Sequence, residues 1–411
     1  MSKIYAGFLW VLVWAGMFTG HYNMHYPEMF AGWKAAFQGV RGYMPLLALY
    51  LCLLWLLSRR LEFGMIKSGL GFLFLYCLTG LVSSLFLSVE KMTSLYYLGI
   101  YFASLTVVWY AFEREDALDH LKILLYTNYA CFFLFTYSLI PEALRVGWGN
   151  LPPLQQYTLP GGLGLIRTNG AGRFALVVII FGAIRFLTLR GVVRWIFLAI
   201  VPPALFLLTQ TQSRTSLLGL AVVGMLYAFV RGLDWRYLFV GPVAAAAVFI
   251  SGFQWRSHGD MDALLHLTGR EYTWQRGWAL IEQSPFLGWG FFSDRIMLHS
   301  EHMHHSYLHA MIHSGFIGGA FFAAAFIAVW IFILRRRLLF KVKLLSGERQ
   351  ALLTESILIF GFLFSRSFFE STAAFYGVDL LLLVPAMAYI IVAATKESFD
   401  EPPATPAEVP G

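Results

Sequence analysis

The sequence predicts an all-α, polytopic integral membrane protein with about twelve transmembrane helices and a large loop on one face. Three observations carry this. The 411 residues are 58% hydrophobic and only 13% charged, with a mean hydropathy of +0.65, whereas soluble domains carry about a quarter charged residues. The apolar residues fall in continuous runs of bilayer length, not in the period-2 alternation of a β-barrel. The cations punctuate those runs without forming a basic face, which excludes a nucleic-acid reading of the net charge of +7.

Candidate spans lie near 4–20, 42–58, 69–88, 93–112, 121–140, 172–189, 194–211, 215–231, 236–253, 305–334, 351–369 and 376–395. The tenth is overlong and is expected to tilt or to extend past the membrane. No internal repeat is evident. Met1-Ser2-Lys3 runs straight into the first apolar stretch without a small-residue cleavage site, so that stretch reads as a retained span. Cys52, Cys77 and Cys131 all lie inside apolar runs and read as small core residues.

Alternate loops differ in basic residues. The richer set includes Arg59, Arg60, Lys67, the Arg185–Arg194 cluster and the run Arg335-Arg336-Arg337 with Lys341, Lys343 and Arg349. The positive-inside rule makes that set cytoplasmic, with both termini inside. On the outer face every cation except Lys34 and Lys91 is an arginine. Arginine offers planar, bidentate contacts to phosphate oxygens, although a single interfacial arginine can equally snorkel to headgroups.

Two outer segments are long. The 141–171 stretch is rich in Pro and Gly and reads as irregular chain lying on the membrane. The expected organisation is helices 1–9 over 1–253, a catalytic loop over 254–304, helices 10–12 over 305–396, and a proline-rich acidic tail over 397–411 that reads as disordered. Within the catalytic loop, Trp274, Trp278 and Ile281 share one face of a helix expected near 270–283, which Ser284-Pro285 stops and Gly288 and Gly290 turn.

An outer-face arginine cluster, a wall of aromatics and one or more histidines suit a particular chemistry. Arginines neutralise a diphosphate, aromatic faces hold sugar rings and lipid tails, and a neutral imidazole takes a hydroxyl proton near pH 7. The combination suggests glycosyl transfer from a lipid-linked diphosphate sugar, whose own leaving group stores the energy. There is no Gly-x-x-x-x-Gly-Lys-Ser/Thr loop for a nucleotide.

The spacing of Arg270, Trp274, Pro285, Gly288 and Gly290, then His304 with Gly315 and Gly318, resembles the O-antigen ligase and polymerase superfamily. Ser213-Arg214-Thr215 resembles its second signature. The layout also resembles C-class-type membrane glycosyltransferases. The resemblance implies an undecaprenyl diphosphate-linked O-polysaccharide as donor and a hydroxyl of lipid A–core as acceptor, with inverting transfer that needs no metal and no cofactor. It implies a bacterial inner-membrane protein with a periplasmic site. Arg214 and Arg270 would then hold the diphosphate and His304 would be catalytic. His304 has the family's spacing to Gly315 but is followed by His305; His305 has the right neighbour, Ser306, but is one residue short, and stays a rival. Arg41, Arg145, Arg167 and Arg173 are second-rank substrate-binding candidates.

Blander readings compete. His305, His309 and His313 share a helix face, where packing is the ordinary role and a metal site the unusual one. Arg214 could meet a carboxylate from a distant loop. Arg270 could pair with Glu271 or Glu282, and Arg276 reads as solvated. Asp260-Met261-Asp262 reads as a plain polar loop. A polymerase or a protein O-oligosaccharyltransferase would share these motifs. A lipid-linked sugar flippase should instead place cations near the midplane in paired halves.

Overall fold

The computed structural model describes residues 3–18, 36, 39–58, 63–146, 156–158, 165–232, 270–299 and 303–396. Each expected span holds a helix except 236–253, which lies outside the described residues along with the loop as far as 269 and the tail from 397. Eight described helices are long and apolar enough to cross a membrane. Lys3–Ala15 and Gly71–Phe86 are shorter apolar helices. This is a multi-pass, all-α membrane protein.

In chain order the helices are α1 (Lys3–Ala15), α2 (Met44–Leu57), α3 (Gly71–Phe86), α4 (Lys91–Phe112) and α5 (Ala117–Val146). They continue with α6 (Thr168–Thr188), α7 (Val193–Ala199), α8 (Val201–Thr211) and α9 (Arg214–Arg231). Beyond residue 269 come α10 (Arg270–Gln283), α11 (Ser293–Met297), α12 (Ser306–Arg335), α13 (Gly347–Arg366) and α14 (Val378–Lys396). Helix α14 is the hub. It packs on α13, α5 and α4, and nearly all of its span is buried by protein. That burial fits its sequence, which is apolar all round. Around it α12 packs on α3, α9 on α13, and α8 on α6.

The 141–171 segment departs from the irregular expectation. Helix α5 runs on to Val146, α6 starts at Thr168, and between them β1 (Gln156–Thr158) pairs antiparallel with β2 (Leu165–Arg167). Tyr, Thr, Leu and Ile suit a short ladder. The Pro- and Gly-rich residues that prompted the expectation, 152–153 and 160–164, lie outside the described residues.

The overlong tenth span is α12, and it is broken. Ser314 and Gly315 leave helical geometry, with Gly315 at φ +63°. The turn after α10 docks into that break. The amides of Trp289 and Gly290 donate to Ile312 O (2.8 Å) and His313 O (2.9 Å), and Phe316 N donates to Pro285 O (2.6 Å). Carbonyls released by the break are thereby satisfied, as buried backbone requires. The Pro285, Gly288, Gly290 and Gly315 motif is thus one structural joint, and it fixes where the N-terminal half of α12 points.

Candidate active site

The residues just ahead of α12 are held tightly. Trp274 Nε1 donates to Met303 O (2.6 Å). Ser306 N donates to Ser367 O (2.9 Å), and Ser306 Oγ reaches Glu370 O (2.8 Å) and Thr372 O (2.9 Å). The segment before α12 is stitched to the segment after α13. Between these ties His304 adopts φ +47°, a left-handed conformation that non-glycine residues take at a cost.

His304 faces a carboxylate. Its Nδ1 lies 2.8 Å from Oε2 of Glu370, a side chain only 9% exposed. An ionised carboxylate only accepts, so Nδ1 donates and the lone pair of the neutral imidazole lies on Nε2. The other oxygen, Oε1, accepts from Asn169 Nδ2 (2.9 Å) and from the Arg270 guanidinium (3.2 Å). Arg270 also donates to Phe369 O (2.6 Å). Burial alone would raise the Glu370 pKa. The His304 hydrogen bond and the charges of Arg366 and Arg270 outweigh it and hold the carboxyl at about 2.

Arg214 opens α9. Ser213 caps that helix, its Oγ accepting from Ser216 N (3.4 Å). Arg214 is exposed and lies near enough to Arg270 for the two positive charges to act on each other. Thr215 Oγ1 accepts from Arg366 (3.0 Å), Arg366 reaches Asp379 (3.4 Å), and Arg173 donates to Asp379 (2.7 Å). Among the described residues, four arginines and two carboxylates therefore form one charge network, net positive by two when His304 is neutral. A diphosphate ester is the complementary charge, and the N-terminus of α9 adds amide dipoles of the same sign.

The structure brings together Arg214, Arg270 and His304, with Arg173 behind them. His305 sits elsewhere. It is the N-cap of α12, its Nδ1 accepting from Leu308 N (3.2 Å) while its ring packs edge-on to Trp274, and burial pushes its imidazole below the ordinary value. Arg270 pairs with Glu370, not with Glu271 or Glu282. Arg276 lies over the Tyr272 ring. Arg41 is buried just ahead of α2, and Arg145 is exposed and pairs with Glu142 (2.6 Å). The Arg167 side chain and Asp260–Asp262 lie outside the described residues. The expected face of α10 is only partly inward: Ile281 is buried, but Trp278 is 43% exposed.

The reading by motif missed Glu370, Asn169, Arg366 and Asp379. One signal was available: Glu370 and Asp379 are carboxylates flanking a short link between two apolar spans, where ionisable residues are expensive.

A second polar cluster lies beside the joint. His309 Nε2 (3.2 Å) and His313 Nε2 (3.1 Å) both approach Asp294 Oδ1, a spacing that could hold a metal ion. One of the three ligand atoms already has another partner, however. Phe292 N donates to His313 Nε2 (3.1 Å), and Arg295 lies 3.5 Å from Asp294 Oδ2 as a counter-charge. The histidines offset the burial penalty and keep the Asp294 pKa well below its ordinary value. The cluster fits a structural role better than a metal centre.

The segment that carries Ser213, Arg214, Arg270, His304 and the glycine joint also matches known proteins. Residues 199–323 match the O-antigen ligase family model. The chain is also similar to the exopolysaccharide production protein ExoQ of Rhizobium meliloti (strain 1021), at 29% identity over 197 residues. That alignment covers 41% of this chain and 43% of the relative. Glu370, Arg366 and Asp379 lie beyond the O-antigen ligase match, and Asn169 lies before it.

Proposed function

We propose that the protein is an inverting, metal-independent glycosyltransferase. It moves O-polysaccharide from an undecaprenyl diphosphate carrier to a sugar hydroxyl of lipid A–core. The observation that carries the reading is the pairing of a carboxylate-held imidazole, His304, with the neighbouring arginines Arg214 and Arg270. The O-antigen ligase match over 199–323 supports the lipid-linked polysaccharide class.

The acceptor hydroxyl oxygen attacks the anomeric carbon, and its proton passes to His304 Nε2. The bond from that carbon to the diphosphate oxygen breaks, and the electron pair stays on the diphosphate. Arg214 and Arg270 neutralise the charge that develops there. One in-line displacement inverts the anomeric centre. The donor supplies the energy, so no nucleotide takes part. The distribution of basic loops supports a bacterial inner-membrane setting, a periplasmic site and cytoplasmic termini.

The test is transfer by purified protein given the polyprenyl diphosphate-linked glycan and lipid A–core, with excess chelator and no nucleotide. Smooth lipopolysaccharide that is lost with His304→Ala supports the ligase. The relative named as an exopolysaccharide production protein favours a second reading, in which a growing glycan is the acceptor. Lengthened carrier-linked glycan with untouched lipid A–core would select that reading.

A further inference from the structure

We propose that Glu370 is the positioning residue of the transfer reaction: it fixes the tautomer and orientation of His304 while holding Arg270 beside it. The inference rests on the proposed glycosyl transfer and adds a residue that lies outside the family match.

Four separate elements meet at this one carboxylate. Asn169 comes from the first turn of α6, Arg270 from the first residue of α10, His304 from the segment before α12, and Glu370 from the link between α13 and α14. The two oxygens do different work. Oε1 takes two donors, Asn169 and Arg270, while Oε2 takes His304. The backbone is fastened at the same place, because Ser306 Oγ donates to Glu370 O and Arg270 donates to Phe369 O. Neither the carboxylate nor the imidazole can move without breaking these ties. The left-handed backbone of His304 is held against its own preference by the same contacts.

The chemical consequence is specific. A base must present a lone pair to the acceptor hydroxyl. With Glu370 ionised, Nδ1 of His304 must donate, so in the neutral imidazole Nε2 carries the lone pair. Glu370→Gln changes one atom and reverses this. The amide oxygen is drawn to the side where Asn169 and Arg270 donate, which turns the amide NH2 toward His304. Nδ1 must then accept, Nε2 carries the proton, and the base is disabled although shape and size are kept.

The experiment compares wild type, Glu370→Gln, Glu370→Ala and His304→Ala in the transfer assay, with donor concentration varied. For Glu370→Gln we expect kcat to fall on the order of 100-fold or more, with the donor KM within about three-fold of wild type. Formate should restore turnover in Glu370→Ala, by filling the vacated carboxylate position, and should not restore His304→Ala. If Glu370→Gln keeps kcat within about three-fold while His304→Ala is inactive, the positioning role is overturned and the base stands. A raised donor KM at unchanged kcat also overturns it, assigning Glu370 to Arg270 alone. If His304→Ala itself turns over normally, the underlying reading of the base falls instead.

Discussion

Gly288 and Gly315 meet backbone to backbone across the break in α12. A Cβ on Gly288 would lie 2.5 Å from Gly315 N, and one on Gly315 would lie 2.1 Å from the carbonyl carbon of Phe286. Both glycines also have positive φ, at +70° and +63°. Steric space and backbone conformation therefore exclude a side chain independently. Gly315→Ala and Gly288→Ala should each lower folded yield in detergent, by strain of about 1–3 kcal/mol from φ alone with the clash added. Size-exclusion profiles and thermal melts check this, and a normal melt for either variant would refute the joint.

The adjacent histidines should separate cleanly. His305 caps α12, so His305→Ala should cost about 0.5–2 kcal/mol of stability, and His305→Asn should recover most of it by supplying another capping side chain. Transfer by the Asn variant should stay within a few-fold of wild type. His304→Ala should show a different pattern, with no transfer and a folded protein whose melt falls by the lost hydrogen bond to Glu370 and is not recovered by a capping side chain.

Glu370 sets a pH dependence of stability. Its folded-state value, about 2, lies below the ordinary 4.5. A depressed carboxyl stabilises the fold fully above its unfolded value and loses that contribution as pH falls toward the folded one. The melting-temperature gap between wild type and Glu370→Gln should therefore be constant above about pH 5 and narrow as pH drops below 4.5. A gap that widens on acidification would contradict the assignment.

Arg185 and Glu355 form a bidentate pair between α6 and α13, at 2.7 and 3.3 Å, with side chains 5% and 0% exposed. Removing one partner strands a buried charge. Arg185→Met should cost about 3–5 kcal/mol, whereas the double variant Arg185→Met, Glu355→Met should lie much closer to wild type. Melts of the two single variants and the double variant form the cycle. Additive losses would show that the pair is not coupled.

Arg270 and Arg214 should differ from the histidine in kinetics. Arg270→Lys keeps the charge but loses the planar fork that spans Phe369 O and Glu370. Donor KM should rise and kcat should fall, each by about ten-fold or more, because diphosphate charge grows toward the transition state. Arg214→Ala should weaken the donor similarly without changing the melt, since Arg214 is exposed at the helix start. Unchanged donor kinetics in both variants would remove the arginines from the site.

Membrane class, the span positions among the described residues and the helix at 270–283 were readable in the chain, and motif spacing singled out Arg214, Arg270 and His304, which the fold brings together. Each depends on local composition or short-range spacing. An apolar run long enough for a bilayer must be helical wherever it sits, and a residue such as Pro285 or Gly290 restricts its own backbone. The tertiary structure decided what could not be local. It broke the continuous apolar run of α12 at Ser314–Gly315, because the stitching amides come from residues more than twenty positions earlier. It distinguished His304 from His305 by giving one a carboxylate and the other a capping role. It also brought in Glu370, 66 residues from His304 and 100 from Arg270. A single buried carboxylate has no period and no motif. Its meaning lies in which donors the packed helices deliver to its two oxygens.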